Sequence, residues 1–259
     1  MPLSYHLKFR KSTIFPKYRG WAKNSLINLI SSTIGNVIDL DSKIATMKKT
    51  SLKAFPEIKL AKLQTLQTGN DCAVHAIVAA TELLTDVKLD PAEIIAEINS
   101  IWWQGRFYRL MPKSAITPPL QVRLVRYLAK KHGLPLTAKL LHLSPDVLRA
   151  TAEAENIASL VTIYWWFNQS PKIYYRDQPK NYNREEGAGG HTMLFAAYDP
   201  EHYSGELHTP WGFINSWVTA GTGLFWMEDK IFRNSWSIPI PRWGNNATVI
   251  ISHEGGTQF

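Results

Sequence analysis

The chain reads Gln67-Thr-Gly-Asn-Asp-Cys72-Ala-Val-His-Ala-Ile-Val-Ala-Ala-Thr-Glu-Leu-Leu84 at the stretch that decides its fold, and this stretch holds the only cysteine among 259 residues. From Cys72 onward, apolar residues recur at spacings of three and four, which predicts a helix with one apolar face. The preceding Thr-Gly-Asn-Asp is typical of a turn, and Asn70 or Asp71 can cap the helix. Cys72 is therefore expected in the first turn, at the positive end of the helix dipole.

That position favours a reactive thiol. A helix N-terminus beside a cationic partner lowers a thiol pKa from about 8.5 to roughly 3.5–7.5, and only the thiolate attacks carbonyl groups well. We therefore interpret Cys72 as a candidate nucleophile. On this stretch alone, the alternative is a small buried apolar residue without a chemical role.

Composition narrows the class of protein. Hydrophobic residues make up 45% of the chain and charged residues 19%, which is typical of a packed globular protein. A single cysteine excludes an intrachain disulfide, which favours a reducing compartment or a bacterial source, including a secreted effector without a classical signal peptide. No apolar run reaches the roughly 18 residues of a membrane span, and the N-terminus is too charged for a signal peptide.

The positive charge is concentrated at the N-terminus. Residues 1–53 contain ten Lys or Arg and two acids, which accounts for the whole formal net charge of +8. The remainder is neutral, so no nucleic-acid surface is expected on the main domain. We predict a basic leader and connector over residues 1–55 and the main domain over residues 56–259. The leader could touch an anionic surface, cover a site, be a solvated tail, or be a transit peptide.

The main domain changes its hydrophobic period halfway. Capping and stop residues predict helices that begin near Cys72, Pro91, Pro118 and Pro145. Short strands separated by Gly, Pro, Asn and Asp are then predicted at residues 158–166, 172–175, 191–198, 212–215, 223–227 and 247–252. A helical half followed by a strand half predicts an α+β fold with two layers or lobes.

A thiolate nucleophile needs a base, and the base needs an orienting group. His191 follows the glycine-rich run Gly187-Ala-Gly-Gly190 and opens an apolar strand, so its ring can project into a cleft. Asn215 ends a later strand, where its side-chain oxygen can accept a hydrogen bond from an imidazole, and the indole of Trp217 can shield that bond. The alternatives are a histidine that merely caps a strand and an asparagine that makes a turn.

A second copy of the triplet Asn-Ser-Trp occurs at Asn234-Ser-Trp236. We favour Asn215 because the strand-forming run Gly223-Leu-Phe-Trp-Met227 follows it. Ile238-Pro-Ile-Pro follows the second copy and cannot continue a central strand.

Four parts of the sequence together resemble the papain family of cysteine proteases, in the family order: Gln67, Cys72 at a helix start, Gly189-Gly-His191 leading a strand, and Asn215-Ser-Trp217 leading to Gly223-Leu-Phe-Trp-Met227. The resemblance covers roughly residues 52–252. It implies a papain-like fold with a helical lobe at residues 57–155, a barrel-like β lobe at residues 156–255, and a cleft between them.

The resemblance also implies roles for individual residues. Cys72 would be the nucleophile, and His191 its ion-pair partner and general acid. Asn215 would orient His191, and Trp217 would shield that contact. Gln67 and the Cys72 backbone N–H would form the oxyanion hole.

Three features depart from the papain pattern. Four residues separate Gln67 from Cys72 where papain has five, Ala73 stands in place of a tryptophan, and Val218 in place of a glycine. They concern the oxyanion geometry and the substrate cleft more than the Cys–His pair. Gln64 is our second choice for the oxyanion residue.

We therefore predict a hydrolase of peptide or isopeptide bonds that needs no cofactor or metal and acts on a peptide or protein. The spacing Gln67-x4-Cys72 also resembles Josephin-type deubiquitinases, and acyl transfer to an amine needs the same residues. A catalytically inactive papain-like binding protein is the other alternative. His75 could bind a metal with Cys72, but no other Cys or His cluster supports this. As in many members of the papain family, the leader could be an inhibitory pro-segment.

Overall fold

The computed structural model describes residues 50–51, 57–100, 116–166, 170–180, 189–217, 223–240 and 244–253. All of them belong to one unit of the chain, residues 42–256. Most of the predicted leader lies outside the described residues, so its role and the domain boundary stay predictions. Within it, Thr50 and Ser51 form a short strand that pairs with Tyr198 and Ala197.

Helices and antiparallel strands make up the described part of the chain. The helices are α1 (Glu57–Ala61), α2 (Cys72–Thr85), α3 (Pro91–Ser100), α4 (Pro118–His132), α5 (Pro145–Thr151) and α6 (Asp229–Trp236). The strands are β1 (Thr50–Ser51), β2 (Leu136–His142), β3 (Ile157–Trp165), β4 (Ile173–Tyr175), β5 (Gln178–Lys180), β6 (Gly189–Tyr198), β7 (Tyr203–Ser204), β8 (Leu207–His208), β9 (Trp211–Ile214), β10 (Phe225–Met227) and β11 (Ala247–His253). The fold class is α+β, as predicted.

Helix α2 is the central helix of the fold. It begins at Cys72, as the preceding turn predicts, and ends at Thr85, and the next residue, Asp86, has a left-handed φ of 57°. Every residue from Cys72 to Thr81 is buried, including His75. The prediction of a single apolar face is therefore wrong for this half of α2, because the helix is packed on all sides.

One antiparallel sheet carries most of the strands, in the order β2-β11-β3-β6-β9-β10-β4-β5, with β1 paired to β6. Its middle strands β3 and β6 are mostly apolar and almost continuously buried, which suits strands covered on both faces. Strand β9 pairs with β6 only from Leu194 onward, where Leu194 faces Ile214. The first residues of β6 therefore extend beyond the end of β9, and the chain leaves β9 beside them.

Several features differ from the sequence-based prediction. Strand β2 lies inside the predicted helical half and pairs with β11. Helix α6, which ends at the second Asn-Ser-Trp triplet, lies in the predicted strand half. The sheet does not close within the described residues, so a barrel and two separate lobes are not confirmed. No helix in those ranges combines the length and apolarity needed to cross a membrane.

Candidate active site

The start of α2, the start of β6 and the end of β9 meet in the interior. The backbone N–H of Thr192 on β6 donates a hydrogen bond to the Cys72 sulfur over 3.4 Å. Because β9 ends before it reaches Thr192, the thiol partners an N–H that has no strand on that side. This contact brings the only cysteine next to the residue that follows His191.

His191 and Asn215 are joined by their side chains. Nε2 of His191 lies 2.7 Å from Oδ1 of Asn215, and both residues are buried. The indole of Trp217 lies against the imidazole, with ring centroids 4.6 Å apart and planes 31° apart. The structure therefore brings together the histidine, asparagine and tryptophan that the sequence singled out, with the aromatic ring beside the polar contact.

The Asn215 contact selects one tautomer of His191. A side-chain carbonyl oxygen only accepts hydrogen bonds, so Nε2 of a neutral His191 carries the proton. Nδ1 then keeps its lone pair and can accept a proton. No hydrogen bond joins Nδ1 to another group in the part of the chain that the structure describes.

Burial controls the charge state of both reactive groups. It raises the pKa of the Cys72 thiol to about 11, against the lowering effect of the backbone N–H groups of Thr192, Ala73 and Cys72. It lowers the pKa of His191 to about 4, although the bond to Asn215 acts in the other direction. The thiol and the imidazole are thus both neutral at pH 7. The prediction that the helix N-terminus lowers the thiol pKa is wrong for this buried site, because desolvation outweighs the helix N–H groups.

The site is almost closed. Cys72 is 4% exposed. It lines a pocket of about 10 Å³, roughly the volume of one water molecule. Ligand sites for small molecules are about 300 Å³ or more, so a substrate needs this pocket to open. The other lining residues are Leu63, Gln64, Thr65, His75, Ala76, Thr192, Ile214, Asn215 and Ser216.

Gln67 does not line the pocket. Its Nε2 donates to the Gly69 carbonyl over 2.8 Å, and its Oε1 accepts from the Ser216 hydroxyl over 2.5 Å. Its backbone N–H also donates to the Ser216 carbonyl. In this closed site Gln67 fastens the loop before α2 to the segment that carries Asn215.

Gln64, the second choice, is buried and also fully engaged. Its Nε2 donates to the carbonyls of Ala61 and Gly223, and its Oε1 accepts from the backbone N–H of Asn215 over 3.2 Å. Gln64 therefore holds the backbone of the asparagine in place. Neither glutamine presents a free side-chain N–H to the pocket.

Thr192 is a site residue that sequence reasoning missed. Its hydroxyl accepts a hydrogen bond from the buried Gln121 of α4 over 2.9 Å and contacts Thr162 of β3 at 3.0 Å. These polar contacts hold the Thr192 side chain against α4 and β3. The backbone N–H of Thr192 contacts the Cys72 sulfur. The only signal in the sequence is its place directly after His191.

Two further buried polar residues lie near Cys72 in the sequence. Asp71 directly precedes α2, and His75 lies on α2 and lines the pocket together with Cys72. The sequence singled out His75 only as a weak metal ligand. Within the described ranges, no group of three or more His, Cys, Asp or Glu side chains is arranged to hold a metal ion.

Comparisons with known proteins give distant structural likenesses only. No family model and no curated protein matches the chain. One solved structure that matches is described as a C39-like peptidase from Bacillus anthracis, with 10% identity and a TM-score of 0.44 over 79% of this chain and 97% of that chain. Another is xylellain, a cysteine protease from Xylella fastidiosa, with 14% identity and a TM-score of 0.47 over 82% of this chain and 88% of that chain. At these values the likeness assigns neither a family nor an activity.

Proposed function

We propose that this protein hydrolyses peptide or isopeptide bonds through Cys72, His191 and Asn215. The observations that carry the proposal are the His191–Asn215 hydrogen bond of 2.7 Å and the contact of the only thiol of the chain with the backbone N–H of the next residue, Thr192. That bond leaves Nδ1 as a proton acceptor, which a neutral thiol with a raised pKa requires. The papain resemblance of the sequence gives the same three residues these roles.

The reaction begins with a proton transfer. His191 Nδ1 takes the proton from the Cys72 thiol as the sulfur attacks the carbonyl carbon of the substrate. The tetrahedral intermediate collapses, the C–N bond breaks, and His191 gives the proton to the leaving amine. Water then attacks the thioester with His191 as its base, which releases the carboxylic acid and restores the thiol.

Asn215 keeps the imidazole oriented during both proton transfers. Its oxygen also stabilises the imidazolium that forms, and the Trp217 ring keeps water from that bond. The oxyanion is bound by the Cys72 backbone N–H at the start of α2 and by Gln67. For this, Nε2 of Gln67 leaves the Gly69 carbonyl when the pocket opens.

The two Asn-Ser-Trp triplets give a matched test of the asparagine. We expect Asn215→Ala to lower kcat about tenfold to hundredfold, because a hydrogen bond to a charged group is worth about 1.5–3 kcal/mol. Asn234→Ala, on the exposed part of α6, is expected to leave kcat within about twofold. Hydrolysis of a general peptide substrate by both variants measures this. Equal rates for the two variants would contradict the role of Asn215.

The substrate class is tested with covalent probes. We expect a peptidyl epoxide to modify Cys72 faster than a ubiquitin vinyl sulfone does, since the papain resemblance of the sequence favours peptide bonds over the isopeptide bonds of ubiquitin conjugates. Intact-mass spectrometry reads the product without ambiguity, because the chain has one cysteine. Faster modification by the ubiquitin probe would favour the deubiquitinase alternative with the same residues.

A second candidate function is a papain-like binding protein without activity. The 4% exposure of Cys72 and the small pocket favour it. Under this alternative, neither probe modifies Cys72 faster than it modifies free cysteine at the same pH. Binding of a peptide or protein partner would then be unaffected by Cys72→Ala.

A further inference from the structure

We propose that Asp71 and His75 form a buried carboxylate–imidazole pair that sets the reactivity of Cys72, with His75 as a positioning residue that offsets the field of the Asp71 carboxylate. This inference rests on the proposed function, in which the Cys72 sulfur is the nucleophile. It assigns a role to two buried polar residues that the reaction steps above do not use.

The geometry comes from the first turn of α2. Asp71 precedes Cys72, and His75 follows Cys72 by three residues and Asp71 by four, so the His75 side chain neighbours both of them at the helix start. The His75 Nε2 lies 3.9 Å from Oδ2 of Asp71. Asp71 is 2% exposed and His75 is 7% exposed. Both therefore interact with little screening by water.

Two further contacts fix this pair. The Thr65 hydroxyl lies 2.6 Å from Nδ1 of His75. This contact holds the imidazole by its other nitrogen and keeps Nε2 turned toward the carboxylate. Asp71 Oδ1 accepts the backbone N–H of Gly69 over 3.2 Å. The Asp71 side chain makes no capping bond to α2, so its charge is held by Gly69 and His75.

The Asp71 charge opposes ionisation of the thiol. Burial is the main cause that raises the pKa of Cys72, and the backbone N–H groups lower that pKa. The Asp71 carboxylate is a further cause that raises it. The contact with His75 in turn helps to keep the pKa of Asp71 below its ordinary value, against the effect of burial. A buried carboxylate without a partner is costly, and its field on a neighbouring thiolate is strong. An N–H or a positive charge on His75 reduces that field.

The titratable groups around the sulfur come from three elements. Asp71 directly precedes α2, and His75 lies on α2 and lines the pocket with Cys72. On β6, His191 precedes Thr192, whose backbone N–H contacts the sulfur. On β3, burial raises the pKa of the Tyr164 hydroxyl, and Cys72 adds a smaller effect in the same direction. His191 is assigned to proton transfer and to Asn215. Among the residues that the structure describes, Asp71 is thus the carboxylate next to Cys72, and His75 is the group that faces it.

The experiment measures alkylation of the full-length chain by iodoacetamide from pH 5 to pH 11, read by intact mass. The variants are Asp71→Asn, His75→Ala, the double variant and His75→Gln, with the exposed His132→Gln as the matched control. We expect Asp71→Asn to shift the midpoint of the alkylation curve to lower pH by about one unit. Alkylation at a given pH below the midpoint is then about tenfold faster. His75→Ala should move the midpoint up by a similar amount, and His75→Gln by less.

The double variant separates a charge effect from a structural one. If His75 acts through Asp71, His75→Ala has less than about a twofold effect in the Asp71→Asn background. The same fold-change in both backgrounds would overturn the proposal. Should His75→Ala fail to fold by circular dichroism, Asp71→Asn decides, and a rate no faster than that of the native chain would overturn it.

Failure of the proposed function gives a different result. In that case the native chain shows no peptide hydrolysis and His191→Ala leaves the alkylation curve unchanged, while the coupling of Asp71 and His75 is still measurable. Conversely, an effect of His191→Ala together with independent effects of Asp71→Asn and His75→Ala would reject only the carboxylate–imidazole pair.

Discussion

Replacement of Cys72 by alanine is expected to abolish peptide hydrolysis, with a loss of at least about 10⁴-fold in kcat. The reason is that the proposed reaction passes through a thioester on this sulfur, and no second cysteine exists to replace it. The measurement is turnover of a peptide substrate by the native chain and the variant at equal concentration. Residual turnover within tenfold of the native chain would contradict the nucleophile assignment.

Cys72→Ser is the control for a structural effect of that replacement. Serine can accept the same hydrogen bond from the Thr192 N–H, so the local packing of β6 against α2 is expected to be kept. Its hydroxyl is a much weaker nucleophile beside a histidine tuned for a thiol. We therefore expect a folded protein with thermal stability near that of the native chain and with turnover as low as that of Cys72→Ala.

Stability is expected to fall on both sides of neutral pH because of the two buried reactive groups. Burial lowers the pKa of His191 to about 4 from an ordinary value of 6.5. Between these pH values the unfolded chain binds a proton that the folded chain does not. The contribution to the free energy of unfolding is thus complete above pH 6.5 and is lost as pH falls toward 4, by roughly 3 kcal/mol.

The contribution of Cys72 to the free energy of unfolding has the opposite pH dependence. Burial raises the pKa of Cys72 to about 11 from 9.0, so the unfolded chain ionises first as pH rises. The contribution is complete below pH 9 and is lost as pH rises toward 11, again by roughly 3 kcal/mol. The free energy of unfolding, measured in urea from pH 4 to pH 11, reports both the loss at acid pH (the acid limb) and the loss at alkaline pH (the alkaline limb).

Two variants isolate these contributions. His191→Gln should flatten the acid limb, and Cys72→Ala should flatten the alkaline limb. His202 is partly buried and also has a lowered pKa, so a smaller acid limb is expected to remain in His191→Gln. Curves with the same shape in the native chain and in both variants would show that neither group is buried in its neutral form.

The sequence was most informative where local chemistry decides the structure. The turn before Cys72 and the Ser144-Pro145 start of α5 are local signals, and both helices begin there. Strand β2 was missed because its pairing partner β11 lies more than 100 residues away. As an edge strand with the exposed Lys139, it lacks the continuous apolar run that marks β3 and β6.

In the candidate site, too, local sequence signals predict some features, and contacts between distant segments decide the others. His191 and Asn215 stand at predicted strand ends, and their side chains meet. The charge state of Cys72 could not be predicted from its helix position, because it depends on how deeply β6 and the preceding loop bury the sulfur. The engagement of Gln67 by Ser216 also depends on a contact between segments 149 residues apart, which no local pattern specifies.

The central claim is that His191 activates the Cys72 sulfur, and the rate of covalent capture tests it most directly. The second-order rate of Cys72 modification by a peptidyl epoxide is measured by intact mass for the native chain and for His191→Ala. We predict one adduct per chain, formed in the native chain at a rate about 10²–10⁴-fold above that of His191→Ala, the usual contribution of a general base. Equal rates in the two proteins, or rates equal to that of free cysteine, would contradict it.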